Sequence, residues 1–98
     1  MNEELDFEFQ QSIRIFNNLC KNDDSYIFHN ILYGLYKQAL FGNNTSQKPY
    51  WFFFHSVQKW NSWTKHFGKS KDDAKIEYID FINNIIKESE EAEKKKIN

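Results

Sequence analysis

Tyr33-Gly34-Leu35-Tyr36-Lys37-Gln38-Ala39 decides how the rest of the chain is read. Residues 27–41 laid on a helical wheel separate into two faces. Ile27, Phe28, Ile31, Leu32, Leu35 and Ala39 form one apolar side, and Tyr33, Tyr36, Lys37 and Leu40 form the other. A helix with a buried stripe therefore carries two phenols and an ammonium where Glu, Lys and Gln are usual. Such a surface suits something flat and anionic. On the wheel alone, two half-buried tyrosines and a solvated lysine account for it as well. Gly34 in mid-helix costs ~1 kcal/mol relative to alanine, which implies close approach of another element or of a ligand.

Helical periodicity extends in both directions from this stretch. Leu5, Phe9, Ile13, Phe16 and Leu19 are spaced for a first helix over residues 4–20, with Phe7 and Ile15 off the stripe and Cys20 on its apolar side. The segment Lys21–Ser25 offers N-cap oxygens for the second helix, and Gly42 a C-terminal stop. After the polar loop 43–50, Pro49 suits the first turn of a third helix over residues 51–67. There Phe52, Phe53, Val57, Trp60, Trp63, Thr64 and Phe67 share one broad arc, which predicts Trp60 in the core. Lys59 lies at the arc's edge, able to lay its stem on aromatic surface, with His55 one turn before it. Gly68 closes that helix, and Ser70-Lys71-Asp72-Asp73 is a capping box for a fourth. The fourth helix buries Ala74, Tyr78, Phe81, Ile82 and Ile85, with Ile79 and Ile86 beside them. The mixed-charge tail from Glu88 is expected to fray, residues 91–98 most of all. Four amphipathic helices without a strand pattern predict an all-α bundle in one domain spanning residues 1–98.

Composition narrows the function. Aromatics make up 18% of 98 residues, with three glycines and one proline, which excludes disorder and a turn-rich sandwich. A formal charge of −1 gives no whole-molecule attraction to nucleic acid, so any anion site is local. The amino terminus is acidic, and the aromatic run Tyr50–Phe54 is far short of the ~20 residues of a membrane span. A cytoplasmic protein without stable membrane insertion is therefore expected. Three histidines (His29, His55, His66) lack metal-site spacing, and no Walker loop, GxSxG or GxGxxG occurs. The expectation is a protein with no metal, no cofactor and no catalytic activity.

Three motifs in order carry a family resemblance: Tyr33 to Ala39, with Gly42 and Pro49 beyond; Lys59-Trp60-Asn61-Ser62-Trp63; and Gly68-Lys69-Ser70-Lys71-Asp72-Asp73-Ala74, reaching Tyr78-Ile79. Over roughly residues 5–90, with no gap from Tyr33 to Tyr78, the chain resembles the acyl-CoA-binding protein family. The resemblance implies a four-helix bundle, up-down-down-up, with the long 2–3 loop crossing over. It implies one-to-one, non-catalytic binding of long-chain acyl-CoA by a monomeric cytosolic carrier and pool buffer. Tyr36 would stack on adenine, with Tyr78 near the same end. Tyr33, Lys37 and Lys59 would hold the ribose 3′-phosphate, and His55 stands where the family commonly has a lysine.

The departures fall at the acyl end. The family's first-helix lysine corresponds to Asn17 if one residue is inserted before the second helix, and Arg14 lies one turn earlier. Only Lys21 is near the 1–2 loop. A small residue lining the acyl channel is replaced by Ile13, behind Phe9, and two apolar positions become His29 and Asn30, on the same side as Tyr33 and Lys37. Gly34 belongs with this lower-ranked set of channel and rim residues. The expectation is retained binding with a shifted chain-length preference and weak electrostatic steering. The alternative is a helical interaction domain that keeps the scaffold but has weak or altered acyl-CoA binding.

Overall fold

The structure, a computed structural model, describes residues 2–19 and 26–97, without the side chains of Tyr26, Ile27 and residues 95–97. The expectations for Cys20, Lys21, the Lys21–Ser25 cap and the Ile27 side chain lie outside that set. Four helices form: α1 (Glu3–Leu19), α2 (Tyr26–Phe41), α3 (Phe54–Thr64) and α4 (Lys71–Ile97). Among the described residues there is no strand.

Local chemistry sets the ends. Asn2 Oδ1 accepts from the Leu5 N–H at 3.0 Å, and Glu3, Glu4 and Asp6 follow in the first turn of α1. Gly42 takes φ +79 after the last turn of α2, and its N–H bonds the Gln38 carbonyl at 3.0 Å. Ser70 Oγ accepts from the Asp73 N–H at 3.0 Å and caps α4. Directions follow from the cross-helix contacts. Asp6 meets Lys75 at 2.5 Å and Phe9 meets Tyr78 at 5.2 Å, so α1 and α4 run the same way. Phe28 lies on Phe81, while Gln38 bonds the Lys69 carbonyl just before α4, so α2 opposes α4. Tyr33 faces Lys59, Gly34 faces Ser62 and Lys37 faces Trp63, so α2 and α3 are parallel. This is the up-down-down-up order.

Packing is uneven, and the unevenness makes the site. α4 packs on α1 and on α2, and α3 packs on α2 alone. α1 and α2 stand apart, bridged by ring pairs such as Phe16–His29 at 4.9 Å. The core is Phe9, Phe16, Leu32, Leu35, Ala39, Ala74, Tyr78 and Ile82, all buried, with Ile13, Ile79, Phe81, Ile85 and Ile86 against it. Each large side chain fully buried here contributes ~1.5–3 kcal/mol.

Several expectations need correction. The third helix was expected over residues 51–67 with Pro49 in its first turn. It runs Phe54–Thr64, because the Phe53 N–H closes a turn on the Tyr50 carbonyl at 3.0 Å before helix begins. It buries no residue fully. Phe52, Phe53 and Phe67 of the expected arc are exposed, as is Phe28 on α2. Trp60 is half-buried and not core. Its Nε1–H donates to the Ser46 carbonyl at 3.1 Å, and Lys48 Nζ lies 5.7 Å from its ring. Trp63 Nε1–H donates to the Gly42 carbonyl at 2.8 Å, so two indoles tie the 2–3 loop down. Leu19, at the end of the expected α1 stripe, is exposed, and Ser12 is buried instead. α4 continues as helix to Ile97 past the expected fraying point, through a run of helix-favouring Glu, Lys and Ala.

Candidate ligand-binding site

Where α1 and α2 diverge, a half-open cavity of about 530 Å³ reaches all four helices. That volume falls within the ~300–1,000 Å³ range of small-molecule sites. Ile13, Phe16 and Asn17 come from α1, and His29, Asn30, Leu32, Tyr33 and Tyr36 from α2. α3 adds His55 and Lys59, and α4 adds Tyr78. The α1 side is mainly hydrocarbon, and the α2–α3 side presents phenols, imidazole and an ammonium. Among the described residues the lining holds no carboxylate, thiol or serine hydroxyl.

Burial grades the three tyrosines. Tyr78 is 3% exposed and meets Phe9 edge-on at 5.2 Å, forming the floor. Tyr36 is 38% exposed, tilted over Phe9 at 6.4 Å, and offers a ring face to the opening. Tyr33 is half-buried, and two ammonium groups approach it. Lys59 Nζ is 5.6 Å from its centroid and Lys37 Nζ 5.9 Å. Lys37 Nζ also sits 4.6 Å from the Phe41 centroid and 5.2 Å from that of Trp63, in a box of π faces. Among the described residues neither lysine has a carboxylate within ion-pair distance, whereas Lys69 meets Glu77 at 2.7 Å and Lys75 meets Asp6 at 2.5 Å. Among the described residues the charges flanking Tyr33 are met by aromatic rings and not by carboxylates. An incoming anion is what would complete them.

The structure brings nine of the thirteen sequence-selected residues onto the cavity: Tyr33, Tyr36, His55, Lys59 and Tyr78, with Ile13, Asn17, His29 and Asn30. Four stand off it. Lys37 is drawn aside by its aromatic box, within reach of the rim at Tyr33. Phe9 lies beneath Tyr36 and Tyr78 as buried support. Arg14 is exposed and outside the lining, because its position turns it off the α1 stripe. Gly34 is a helix-crossing residue and not a rim residue: a Cβ there would fall 1.9 Å from the Ser62 carbonyl oxygen. Its N–H donates to Ser62 Oγ at 3.0 Å, and that hydroxyl donates to the Asn30 carbonyl at 2.5 Å. Ser62 thus bridges the two groups that an unbroken α-helix would join, and it fixes Asn30 at the cavity edge. Phe16 and Leu32 line the cavity too, although their spacing marks them only as core.

Four helices around a half-open, two-natured cavity define a small helical ligand-binding module. The family model for acyl-CoA-binding protein matches residues 6–82, and the chain belongs to the acyl-CoA-binding protein family. It is 47% identical over 55 residues to Acyl-CoA-binding protein 2 of Saccharomyces pastorianus, a match covering 56% of this chain and 63% of that one. It is 33% identical over 82 residues to Acyl-CoA-binding domain-containing protein 2 of Oryza sativa subsp. japonica, covering 84% and 86%. The crystal structure of Oryza sativa Acyl-CoA-Binding Protein 2 superposes with a TM-score of 0.77 at 31% identity, covering 88% of this chain and 94% of that one. No described helix is long and apolar enough to cross a membrane.

Proposed function

We propose that the protein binds long-chain acyl-CoA esters one to one, without catalysis or cofactor, and acts as a monomeric intracellular carrier and pool buffer. The observation that carries this reading is the convergence of Lys37 and Lys59, from two helices and without acidic partners among the described residues, on Tyr33 at the edge of the cavity. A ribose 3′-phosphate there would receive two ammonium groups and a phenol, and hydrogen bonds to charged groups contribute ~1.5–3 kcal/mol each. Adenine would lie on the exposed face of Tyr36, a stacking contact worth ~1–3 kcal/mol. The acyl chain would run along Ile13, Phe16 and Leu32, gaining ~0.8 kcal/mol per buried methylene. The Phe16–His29 ring pair bridges α1 and α2 at the acyl end, which supports a shifted chain-length preference.

Calorimetric titration with palmitoyl-CoA, dephospho-palmitoyl-CoA, CoA and palmitate tests the reading. Palmitoyl-CoA should bind tightest by orders of magnitude. Lys59→Ala should weaken it by roughly 1.5–3 kcal/mol, about tenfold to a hundredfold, and leave dephospho-palmitoyl-CoA nearly unchanged. Equal affinity for palmitate would defeat the carrier reading and favour an interaction domain. Equal losses for both esters would defeat the 3′-phosphate assignment.

A further inference from the structure

The site leaves unexplained the most exposed apolar feature of the molecule. Tyr50, Trp51, Phe52, Phe53 and Phe54 are consecutive, and their exposures are 71%, 77%, 54%, 52% and 70%. They pack on one another and not on the core. Tyr50 and Phe52 stack at 5.8 Å, Trp51 meets Phe52 edge-on at 5.6 Å, and Phe53 is 4.6 Å from Phe52. The Phe53 N–H to Tyr50 carbonyl bond folds them into a tight turn that leads into α3. An apolar cluster held clear of the core by its own turn marks an interaction surface.

Charge decides what it meets. The formal charge of −1 conceals a division along the chain. Residues 25–71 contain six lysines (37, 48, 59, 65, 69 and 71) and not one Asp or Glu. The remainder holds all fourteen acids against seven bases. The aromatic turn lies midway in the basic stretch, with Lys48 two residues before it. A second copy docking through this turn would set Lys48 and Lys59 of each copy near those of the other, which disfavours self-association. A bilayer with anionic headgroups supplies both complements: a negative surface for the lysines and a water–hydrocarbon boundary, where Trp and Tyr rings concentrate.

We propose that the turn formed by residues 50–54 docks the protein on anionic bilayers, the aromatic rings entering the headgroup region and Lys48 and Lys59, the lysines nearest the turn in the chain, meeting the lipid charge. Phe54 immediately precedes His55, so docking brings the α3 wall of the cavity to the membrane. The docking needs no bound acyl-CoA, and vesicles free of it test the proposal separately from the ligand reading.

The experiment is cosedimentation with vesicles of phosphatidylcholine alone and of phosphatidylcholine with phosphatidylserine. It uses the full chain and the Trp51→Ala/Phe54→Ala double variant, with melting curves for both. The wild type should favour the serine-lipid vesicles by about tenfold or more, less so as salt is raised. The double variant should lose about tenfold or more of that binding with an unchanged melting temperature. Lipids brominated near the headgroup should quench the fluorescence of the wild type, and of Trp51→Phe far less. Absence of vesicle binding, equal binding by a folded double variant, or quenching that survives Trp51→Phe would overturn the proposal. So would a sedimentation-velocity dimer that the double variant dissolves, since the turn would then be a contact between copies.

Discussion

His66 shows how a single side chain couples this fold to pH. Its Nδ1 lies 2.9 Å from Lys69 Nζ, and its Nε2 is buried without a partner among the described residues. An ammonium can only donate, so Nδ1 accepts and the ring is held neutral with its proton on Nε2. Burial first, then the charges of Lys69 and Lys65, press the imidazole pKa below its ordinary value, and Glu77 opposes them. Between the folded pKa and the ordinary value the unfolded chain binds more protons than the folded one, so stability rises with pH across that window. His66 thus stabilises fully at neutral pH and progressively less as pH falls. The melting temperature should drop from about pH 7 to about pH 5.5, and His66→Gln should flatten part of that slope. An identical slope in the variant would show that His66 does not set it. The residues that line the cavity were legible at this same scale where chemistry was unusual for its place. Phenols and a lysine on the wet side of a helix marked Tyr33 and Tyr36, and an edge position marked Lys59. Phe16 and Leu32 were not legible as cavity wall, because a wheel reports that a side chain leaves water, not whether a neighbour or a hollow receives it.

Among elements, the α2–α3 crossing governs how the cavity is held. A Cβ on Gly34 would lie 1.9 Å from the Ser62 carbonyl oxygen and 2.4 Å from its carbon, and backbone cannot fold away as a side-chain tip can. Gly34→Ala gains ~1 kcal/mol of helix propensity. It must also force α2 and α3 apart, an overpacking cost of roughly 1–3 kcal/mol or more, so the net effect is destabilising. Each kcal/mol lost should lower the melting temperature by about 4–8 °C in a domain of this size. Acyl-CoA affinity should fall as well, since Asn30 and Lys59 line the cavity from either side of the crossing. A variant that melts at or above wild type would show that the two helices yield freely there. The number of helices and most of their ends were legible, because Gly42 and Ser70 are chemical stops and starts that act locally. The start of α3 was not. Phe52 and Phe53 sit at helical spacing from Val57 and Trp60, yet a short helix on the outside of a small bundle has only a narrow face to bury. Chain and hydrogen bonds settle into a turn there, and the rings stay in water.

Over the whole molecule, charge segregation bears on how fast an anionic ligand arrives. A net charge of −1 gives no whole-molecule attraction for an anion, and a rim read as poor in lysines led to the expectation of weak steering. The distribution argues otherwise. The cavity wall from α2 and α3 belongs to the stretch free of acids, and the acids lie on α1, on α4 and in the segment before α2. A ligand nearing the opening within a Debye length, ~10 Å at 0.1 M salt, senses the lysines around Tyr33. Lys37 and Lys59 project that field without a neutralising partner among the described residues, and Lys48 and Lys65 extend it along α3 and its approach loop. In stopped-flow measurements the association rate for acyl-CoA should therefore fall several-fold as salt rises from about 20 to about 200 mM, while dissociation changes less. Were the overall negative charge in command, salt would leave that rate flat or raise it. The sign of the slope thus separates a molecule that draws its ligand by one face from one that repels it as a whole.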